Sequence, residues 1–237
     1  MTARLFIPTP GNEATARALA QSLDAAVGQL ELRAFPDGET YLRFDSDLSG
    51  RSLAIVCTLD RPNDKILPLL FAAATARELG AVNVGLVAPY LAYMRQDRRF
   101  KPGEAVTSRE IAQLLSNAFD WLVTVDPHLH RYSSLSEIYR IPTRAVHAAS
   151  VMAEWIKANV PKALIIGPDS ESEQWVSVRR FPPQLHHTHF DTRNAIRLYV
   201  RYLEHAAFAT TLNAIALSKR ERKHTEAETK DRLSSRD

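Results

Sequence analysis

The sequence predicts an α/β fold in which a parallel sheet is flanked by helices. Continuous apolar runs of strand length, at residues 52–58 (SLAIVCT) and 82–88 (VNVGLVA), are typical of strands covered on both faces. Segments with apolar residues at helical spacing separate these runs, and the connections between them are short. Alternating strands and helices with short connections favour a parallel sheet with helices on both faces.

The first elements are a strand over residues 4–8 and a helix that Asn12 can cap. Residues 29–35 and 40–44 alternate apolar and polar side chains, and the sequence Pro-Asp-Gly between them has turn chemistry. These two runs are expected to pair as a hairpin with Asp37 and Glu39 near its tip.

The next elements repeat strand and helix. A helix with Asn63 as its cap is expected to follow strand 52–58 and to end at Gly80. Strand 82–88 should then lead to a helix over 108–118, with Ser108 as its cap.

A third buried strand is predicted at residues 121–125 (WLVTV). After the Ile-Pro pair at 141–142 the pattern restarts with a helix capped by Ser150 and a strand over 163–167. This restart predicts the beginning of a second α/β unit.

The composition bounds the class of protein. With 237 residues, of which 45% are hydrophobic and 24% charged, the chain can bury a full core and is expected to be soluble and globular. No apolar run is long enough to span a bilayer and the first residues lack a secretory pattern, so we expect a cytoplasmic protein. The single cysteine, Cys57, excludes an intrachain disulfide and a multi-cysteine metal site, and it is expected to be a buried thiol.

The last sixty residues differ in composition from the rest. All eight glycines lie at or before Gly167, although a folded α/β segment normally needs glycine at turns and helix ends. Residues 178–237 contain 12 Lys and Arg against 7 Asp and Glu. We therefore expect a basic tail that is partly disordered. Nucleic-acid binding by this tail would rest on charge alone, without interleaved aromatic residues, and is not predicted.

Polar clusters follow four of the predicted strands, and ligands of parallel sheets gather at the carboxyl ends of strands. The clusters are residues 58–63, 95–98, 126–130 and 169–173. In the second cluster the guanidinium groups of Arg95 and Arg98 suit phosphate, because each gives paired, charge-assisted hydrogen bonds. The alternative is a solvated loop.

The last two clusters contain potential metal ligands. Residues 126–130 offer carboxylate and imidazole groups, and Asp169, Glu171 and Glu173 offer carboxylates that suit Mg²⁺ shared with substrate phosphates. A lone histidine is more often structural than a ligand, and the histidines near residue 187 lie in an irregular context that does not favour a metal site. The chain contains neither a P-loop nor a dinucleotide-binding glycine motif.

Four motifs make about residues 3–177 resemble the ribose-phosphate diphosphokinase family, the synthetases of phosphoribosyl diphosphate. They are FPDGETYLRF at residues 35–44, PYLAYMRQDRRFKPGEAVTSREIAQLL at 89–115, VDPHLHR at 125–131 and IIGPDSESEQW at 165–175. The resemblance implies phosphoribosyltransferase-like domains: a complete N-terminal one at 1–145 and the start of a second, incomplete one at 146–177, followed by a divergent basic tail at 178–237.

The resemblance also implies ligands and site residues. The family requires ATP and Mg²⁺, acts in nucleotide biosynthesis, and forms homo-oligomers in which the F-x-D-G-E loop of one subunit completes the ATP site of a neighbour. The ATP-binding residues carried over by position are Phe35, Asp37, Gly38 and Glu39 for adenine, Arg95 and Gln96 for direct contact, and Asp97 and Arg98 for support of that loop. The residues carried over for the metal sites are His128 and Asp169.

The implied reaction transfers the diphosphoryl group of ATP to the anomeric hydroxyl of ribose 5-phosphate and releases AMP. Two family loops have no counterpart here: a mobile loop with the catalytic Lys and Arg, and a Gly- and Thr-rich loop that holds the 5-phosphate. The catalytic residues therefore stay unassigned. We hypothesise that residues from about 178 onward are not homologous to the family, through a frameshift or a truncated reading frame. The alternative function is a non-catalytic subunit that assembles with intact synthetases.

Overall fold

The computed structural model describes residues 4–148 together with Trp155 and Asn159. The strands in this part of the chain are β1 (Arg4–Pro8), β2 (Ala26–Val27), β3 (Leu30–Ala34), β4 (Thr40–Phe44), β5 (Ser52–Val56), β6 (Asn83–Ala88), β7 (Trp121–Val125) and β8 (Thr143–Val146). The helices are α1 (Glu13–Leu23), α2 (Asn63–Glu78) and α3 (Thr107–Ala118), and one 3₁₀ turn spans Leu135–Glu137.

Six strands form one sheet in the order β2-β1-β5-β6-β7-β8, and every neighbouring pair is parallel. From β1 the chain moves outward to β2, whereas from β5 it moves in the opposite direction through β6 and β7. Right-handed crossovers in opposite directions place α1 on one face of the sheet and α2 with α3 on the other. The prediction of a parallel sheet flanked by helices is confirmed.

The core lies along β5 and β6, the two central strands. Leu53, Ile55 and Leu86 are completely buried between helices on both faces, which explains the continuous apolar runs in the sequence. Each such side chain contributes about 1.5–3 kcal/mol by leaving water. Cys57 is also buried, as predicted, and burial raises the pKa of its thiol.

The predicted hairpin forms, but it is a separate two-stranded sheet. Strands β3 and β4 pair antiparallel from Leu30 opposite Phe44 to Ala34 opposite Thr40. Gly38 takes a positive φ of 92° in the turn, a conformation that glycine adopts without strain. The Asp37 carboxylate accepts a hydrogen bond from the backbone N–H of Glu39 at 3.1 Å and so closes the tip.

The predicted cap of α1 is wrong. Asn12 precedes the helix, but its side chain makes no capping hydrogen bond. Its Oδ1 atom instead accepts hydrogen bonds from the backbone N–H of Thr58 at 3.0 Å and from the Thr58 hydroxyl at 2.9 Å. Because β1 and β5 are neighbours, the donors at the end of β5 are closer partners than the first turn of the helix.

The predicted caps Asn63 and Ser108 are also wrong, because tertiary partners take both side chains, and the fourth predicted cap, Ser150, lies outside the described residues. Asn63 is the first residue of α2, after Pro62, and its side chain accepts a hydrogen bond from the Tyr93 hydroxyl. Ser108 lies inside the first turn of α3, where it is fully buried and its hydroxyl is 3.1 Å from the hydroxyl of Tyr132.

Three short elements were not predicted: β2, β8 and the 3₁₀ turn. Strand β8 has only four residues and is half-buried at the sheet edge, so it lacks the apolar run that marks the central strands. The compact unit that contains the sheet extends to Val146, and a second unit begins at His147. Nearly all of the residues at 146–177, predicted to begin a second domain, and the whole tail at 178–237 lie outside the described part. No helix among the described residues is long and apolar enough to cross a membrane.

Gly85 provides a test of the packing between β6 and β7. A Cβ atom at Gly85 would overlap the indole ring of Trp121, its register partner, and that indole is held by a hydrogen bond from Nε1 to the Asn83 side chain at 2.7 Å. We expect Gly85→Ala to lower the free energy of unfolding by about 1–3 kcal/mol, as measured by urea denaturation.

The matched control combines Gly85→Ala with Trp121→Val. Removing the ring makes room for the new methyl group, so the double variant should be more stable than the sum of the two single losses predicts. Additive losses of stability would show that overlap with the Trp121 ring does not cause the destabilisation by Gly85→Ala.

Tyr139 provides a test of pH dependence. The phenol is buried, its hydroxyl has no hydrogen-bond partner within the described residues, and burial raises its pKa. The folded chain therefore keeps this proton at pH values where an unfolded tyrosine, with a pKa of about 10, ionises. The stability that depends on Tyr139 is intact below about pH 10 and falls as the pH rises further.

Tyr139→Phe should therefore melt at the same or a slightly higher temperature than the wild-type chain at neutral pH, and at a clearly higher one near pH 11. Thermal melting followed by circular dichroism from about pH 7 to about pH 11 measures the difference. Tyr90→Phe is the control, because the Tyr90 side chain is exposed. A constant difference across this range would contradict the role of ionisation.

Candidate functional site

The candidate site lies where the loops after β6 and β7 meet. These strands are parallel neighbours, with Ala88 paired with Thr124 near their carboxyl ends, so their two loops emerge at the same edge of the sheet. The first loop, residues 89–106, contains the predicted phosphate-binding residues. The second, residues 126–134, contains the predicted metal ligand His128.

An ion pair joins the two loops. The Asp97 side chain is fully buried, and the Arg131 guanidinium donates from Nη1 to both of its carboxylate oxygens, at 2.8 and 2.9 Å. A buried carboxylate is costly unless a cation and hydrogen bonds compensate it. Asp97 therefore stays in this position only while Arg131 reaches it.

A second set of hydrogen bonds connects the same loops to α3. The Tyr132 hydroxyl lies 3.1 Å from the backbone oxygen of Asp97 and 3.1 Å from the Ser108 hydroxyl. The backbone N–H of Ser108 donates to the backbone oxygen of Gln96 at 3.3 Å. The first turn of α3 and the loop after β7 thus hold the main chain at residues 96–97 from two sides.

The cations of the first loop are exposed, unlike this buried anchor. Arg95 and Arg98 are exposed, whereas Gln96 is half-buried and Asp97 is buried. Arg98 lies 4.7 Å from the centre of the Phe100 ring. Arg95 makes no side-chain hydrogen bond or ion pair with any residue that the structure describes, so its guanidinium is available to a ligand.

The second loop begins with a strained residue. Asp126 has a positive φ of 37°, and its backbone N–H donates to Val146 of β8. Beyond it the imidazole rings of His128 and His130 meet edge to face, with centroids 3.7 Å apart. Among the described residues no three His, Cys, Asp or Glu side chains are grouped to hold a metal ion.

The side chains at this edge of the sheet can be compared with the ligands that Mg²⁺ prefers. Mg²⁺ prefers oxygen ligands, keeps several waters and is usually bound by one or two carboxylates together with substrate phosphates. The described residues form no closed metal cage, and the second predicted ligand, Asp169, lies outside the described part. An ion that arrives with a polyphosphate is compatible with the described residues at this edge of the sheet.

The hairpin tip carries the other predicted binding residues. Phe35 is exposed and its ring meets that of Tyr41 edge to face at 5.9 Å. The Arg33 guanidinium lies 3.9 Å from the centre of the Tyr41 ring and 5.0 Å from that of Phe35. No hydrogen bond, ion pair or ring contact joins residues 35–39 to residues 95–98 within the described part.

The polar cluster after β5 is occupied by contacts within the chain. Thr58 is bonded to Asn12, and the Lys65 ammonium donates to the backbone oxygen of Thr58 at 2.7 Å. Lys65 also pairs with Asp60 and lowers the pKa of that carboxyl. The strand order reverses between β1 and β5, where open α/β sheets often bind ligands. Here the polar side chains of that crevice are bonded to one another.

Sequence reasoning missed the residues that support the site from behind: Ser108 as a tertiary contact, Arg131 and Tyr132. Arg131 and Tyr132 follow the D-P-H-L-H sequence directly. The need of Asp97 for a cation from another loop follows only from its burial, because in the sequence arginines already flank it. The identity of that partner depends on which loops are neighbours in the sheet.

Comparison with known proteins agrees with this architecture. Residues 5–118 match a family model described as the N-terminal domain of ribose phosphate pyrophosphokinase, another name for ribose-phosphate diphosphokinase. The ribose-phosphate pyrophosphokinase of Methanothermobacter thermautotrophicus is 36% identical over 166 residues, covering 70% of this chain and 57% of that protein. The one from Saccharolobus solfataricus is 37% identical over 153 residues, covering 64% of this chain and 52% of that protein.

A solved structure shares the fold. The crystal structure of phosphoribosylpyrophosphate synthetase from Mycobacterium smegmatis superimposes with a TM-score of 0.60 at 22% identity, covering 67% of this chain and 53% of that one. The chain spans about half the length of the relatives it matches. The resemblance expected from the sequence motifs is thus confirmed: residues 5–118 match the N-terminal domain of ribose phosphate pyrophosphokinase.

Proposed function

We propose that the loops after β6 and β7 bind ATP and that the protein acts as a ribose-phosphate diphosphokinase. The observation that carries the proposal is the exposed guanidinium of Arg95, which has no partner among the described residues and lies beside a loop anchored by a buried ion pair. A guanidinium that needs no rearrangement to meet an anion suits a phosphate chain. The resemblance to the family supports the same ligand.

In the proposed reaction the anomeric hydroxyl oxygen of ribose 5-phosphate forms a bond to the β-phosphorus of ATP. The bond between that phosphorus and the oxygen bridging to the α-phosphate breaks, the hydroxyl proton is lost, and AMP leaves. Such a transfer depends on positioning and on neutralising negative charge. When bound, Mg²⁺ supplies part of that neutralisation, and we propose His128 and Asp169 as its protein ligands.

Each residue of the loop 95–98 takes a distinct part in this proposal. Arg95 and Gln96 contact the phosphates of ATP. Asp97 is buried and contacts no ligand, so it supports the loop, and Arg98 supports it by stacking on Phe100.

The adenine is proposed to bind at the hairpin tip of a neighbouring subunit. Phe35 offers an exposed aromatic ring, Asp37 and Glu39 offer carboxylates, and Gly38 gives the turn its shape. The division of the site between two copies follows the arrangement that the resemblance implies for the family. The homo-oligomer and the cytoplasmic location stay predictions.

An assay for AMP release from ATP and ribose 5-phosphate tests turnover. Release by the pure chain would rule out the alternative of a non-catalytic subunit. Co-purification of the chain with an active synthetase of the family, together with no release by the chain alone, would support that alternative.

Replacing Arg95 tests the phosphate contact. Arg95→Ala should weaken the binding of ATP with Mg²⁺ by about tenfold or more, because one charge-assisted hydrogen-bonding group is lost, while the melting temperature stays unchanged. Isothermal titration calorimetry on the full chain gives the affinity. Arg140→Ala is the matched control, because Arg140 is also exposed but bonds to Asn117 away from the site. Equal affinity of the wild-type chain and Arg95→Ala would contradict the assignment.

Mixing two variants tests the shared site. Phe35→Ala and Arg95→Ala should each bind ATP weakly, whereas subunits exchanged between them should form some sites from two intact halves. We expect an equal mixture to recover about a quarter of the tight sites, because random pairing gives each half an even chance of being intact. No recovery, with subunit exchange verified by mass spectrometry, would place Phe35 and Arg95 in the same chain's site or outside any site.

A further inference from the structure

Arg131 contacts the loop after β6 at two separate points. Its guanidinium pairs with the buried Asp97 carboxylate, and its central carbon lies 5.3 Å from the centre of the Phe100 ring. The Arg131 side chain keeps 38% of its surface exposed, whereas Asp97 keeps none. One side chain thus reaches from the rim of the site to its buried support.

Two contact points constrain a loop more than one does. A single ion pair at Asp97 would fix a position but leave the chain free to turn about it. The second contact, three residues further on at Phe100, opposes that rotation, because a guanidinium is attracted to the face of an aromatic ring. Since Arg95 and Gln96 directly precede Asp97, the direction of their side chains follows from this constraint.

The same contacts tie the loop to the residue proposed to meet the metal. Arg131 follows His128 by three positions, and its neighbour Tyr132 bonds to the backbone oxygen of Asp97. Any displacement of the loop after β7 is therefore transmitted to both the side chain and the main chain of Asp97.

We propose that Arg131 is a positioning residue that couples the orientation of Arg95 and Gln96 to that of His128. The inference rests on the proposed function, in which both loops meet one ATP molecule. Lysine cannot replace Arg131. The guanidinium is planar, so it can lie against Phe100 while it bonds to both oxygens of Asp97, whereas an ammonium group has no such plane.

The experiment compares Arg131→Lys with the wild-type chain in two measurements. The first is hydrogen exchange by mass spectrometry without nucleotide. Peptides from residues 89–106 and 126–134 should both exchange about tenfold faster in the variant. The loss of roughly one hydrogen bond lowers the free energy of local opening by that amount. Peptides from β5 and α2 should exchange as in the wild-type chain. Arg140→Lys is the matched control and should change neither loop.

The second measurement is the affinity for ATP and for AMP, each with Mg²⁺. Arg131→Lys should weaken ATP binding by about tenfold and AMP binding by less, because AMP lacks the phosphates that the displaced loop would have held. A merely structural role would weaken both nucleotides in proportion to the folded fraction and would not change their ratio.

The outcomes separate this inference from the proposed function. If the wild-type chain binds no ATP, the proposed function fails, and the exchange measurement still decides whether Arg131 couples the loops. Wild-type exchange in both loops of a folded Arg131→Lys variant, or an unchanged ratio of ATP to AMP affinity, would overturn the inference.

If Arg131→Lys does not fold, Phe100→Leu tests the second contact. Phe100 is exposed, so its replacement leaves the buried ion pair in place. We then expect about threefold weaker ATP binding, which corresponds to the cation–π contribution at an exposed site, and faster exchange in both loops. The change at residues 126–134 reports the Arg131 contact, because Arg98, which also lies against Phe100, belongs to the first loop. No change in either measurement would also overturn the inference.

Discussion

The buried carboxylate of Asp97 is the constraint on which the candidate site depends. A charge without solvent must be paired, and in this fold the pairing group comes from a different strand's loop. Meeting that requirement brings the loops after β6 and β7 together and leaves the neighbouring cations exposed. The loop that looks in the sequence like a run of solvated charges is thus organised around one residue that faces inward.

The polar side chains at the reversal of strand order contact one another. The crevice between β1 and β5, where the direction of winding reverses, is the usual ligand position of such folds. In this chain Asn12, Thr58 and Lys65 satisfy one another there. Ligand-facing polar groups remain at the ends of β6 and β7, one and two strands away, which moves the candidate site towards the far edge of the sheet.

The hairpin of β3 and β4 carries the second group of residues that the proposal assigns to ATP. It is not hydrogen-bonded to the main sheet, and its tip carries an exposed aromatic ring beside acidic groups. Large exposed aromatic side chains on a projecting element favour an intermolecular role, because burying them in an interface releases water from apolar surface. A site divided between the hairpin of one copy and the loops of another would join the two surfaces.

The sequence by itself determined the sheet and the family. Buried central strands need continuous apolar residues, so the sequence pattern predicts β5, β6 and β7. The turn at Gly38 follows from local backbone preference. The motifs around residues 35–44 and 89–115 point to the family, a resemblance that the comparison confirmed. These features depend on residues close together along the chain.

Only the tertiary structure decided the partners of polar side chains. Asn12, Asn63 and Ser108 are good helix caps by local preference, yet each bonds to a residue from a distant element because that residue is nearer in the folded chain. The edge strand β8 and the pairing of Arg131 with Asp97 likewise depend on which strands are neighbours. Local propensity cannot encode that order, because contacts between distant segments are fixed only when the whole sheet assembles.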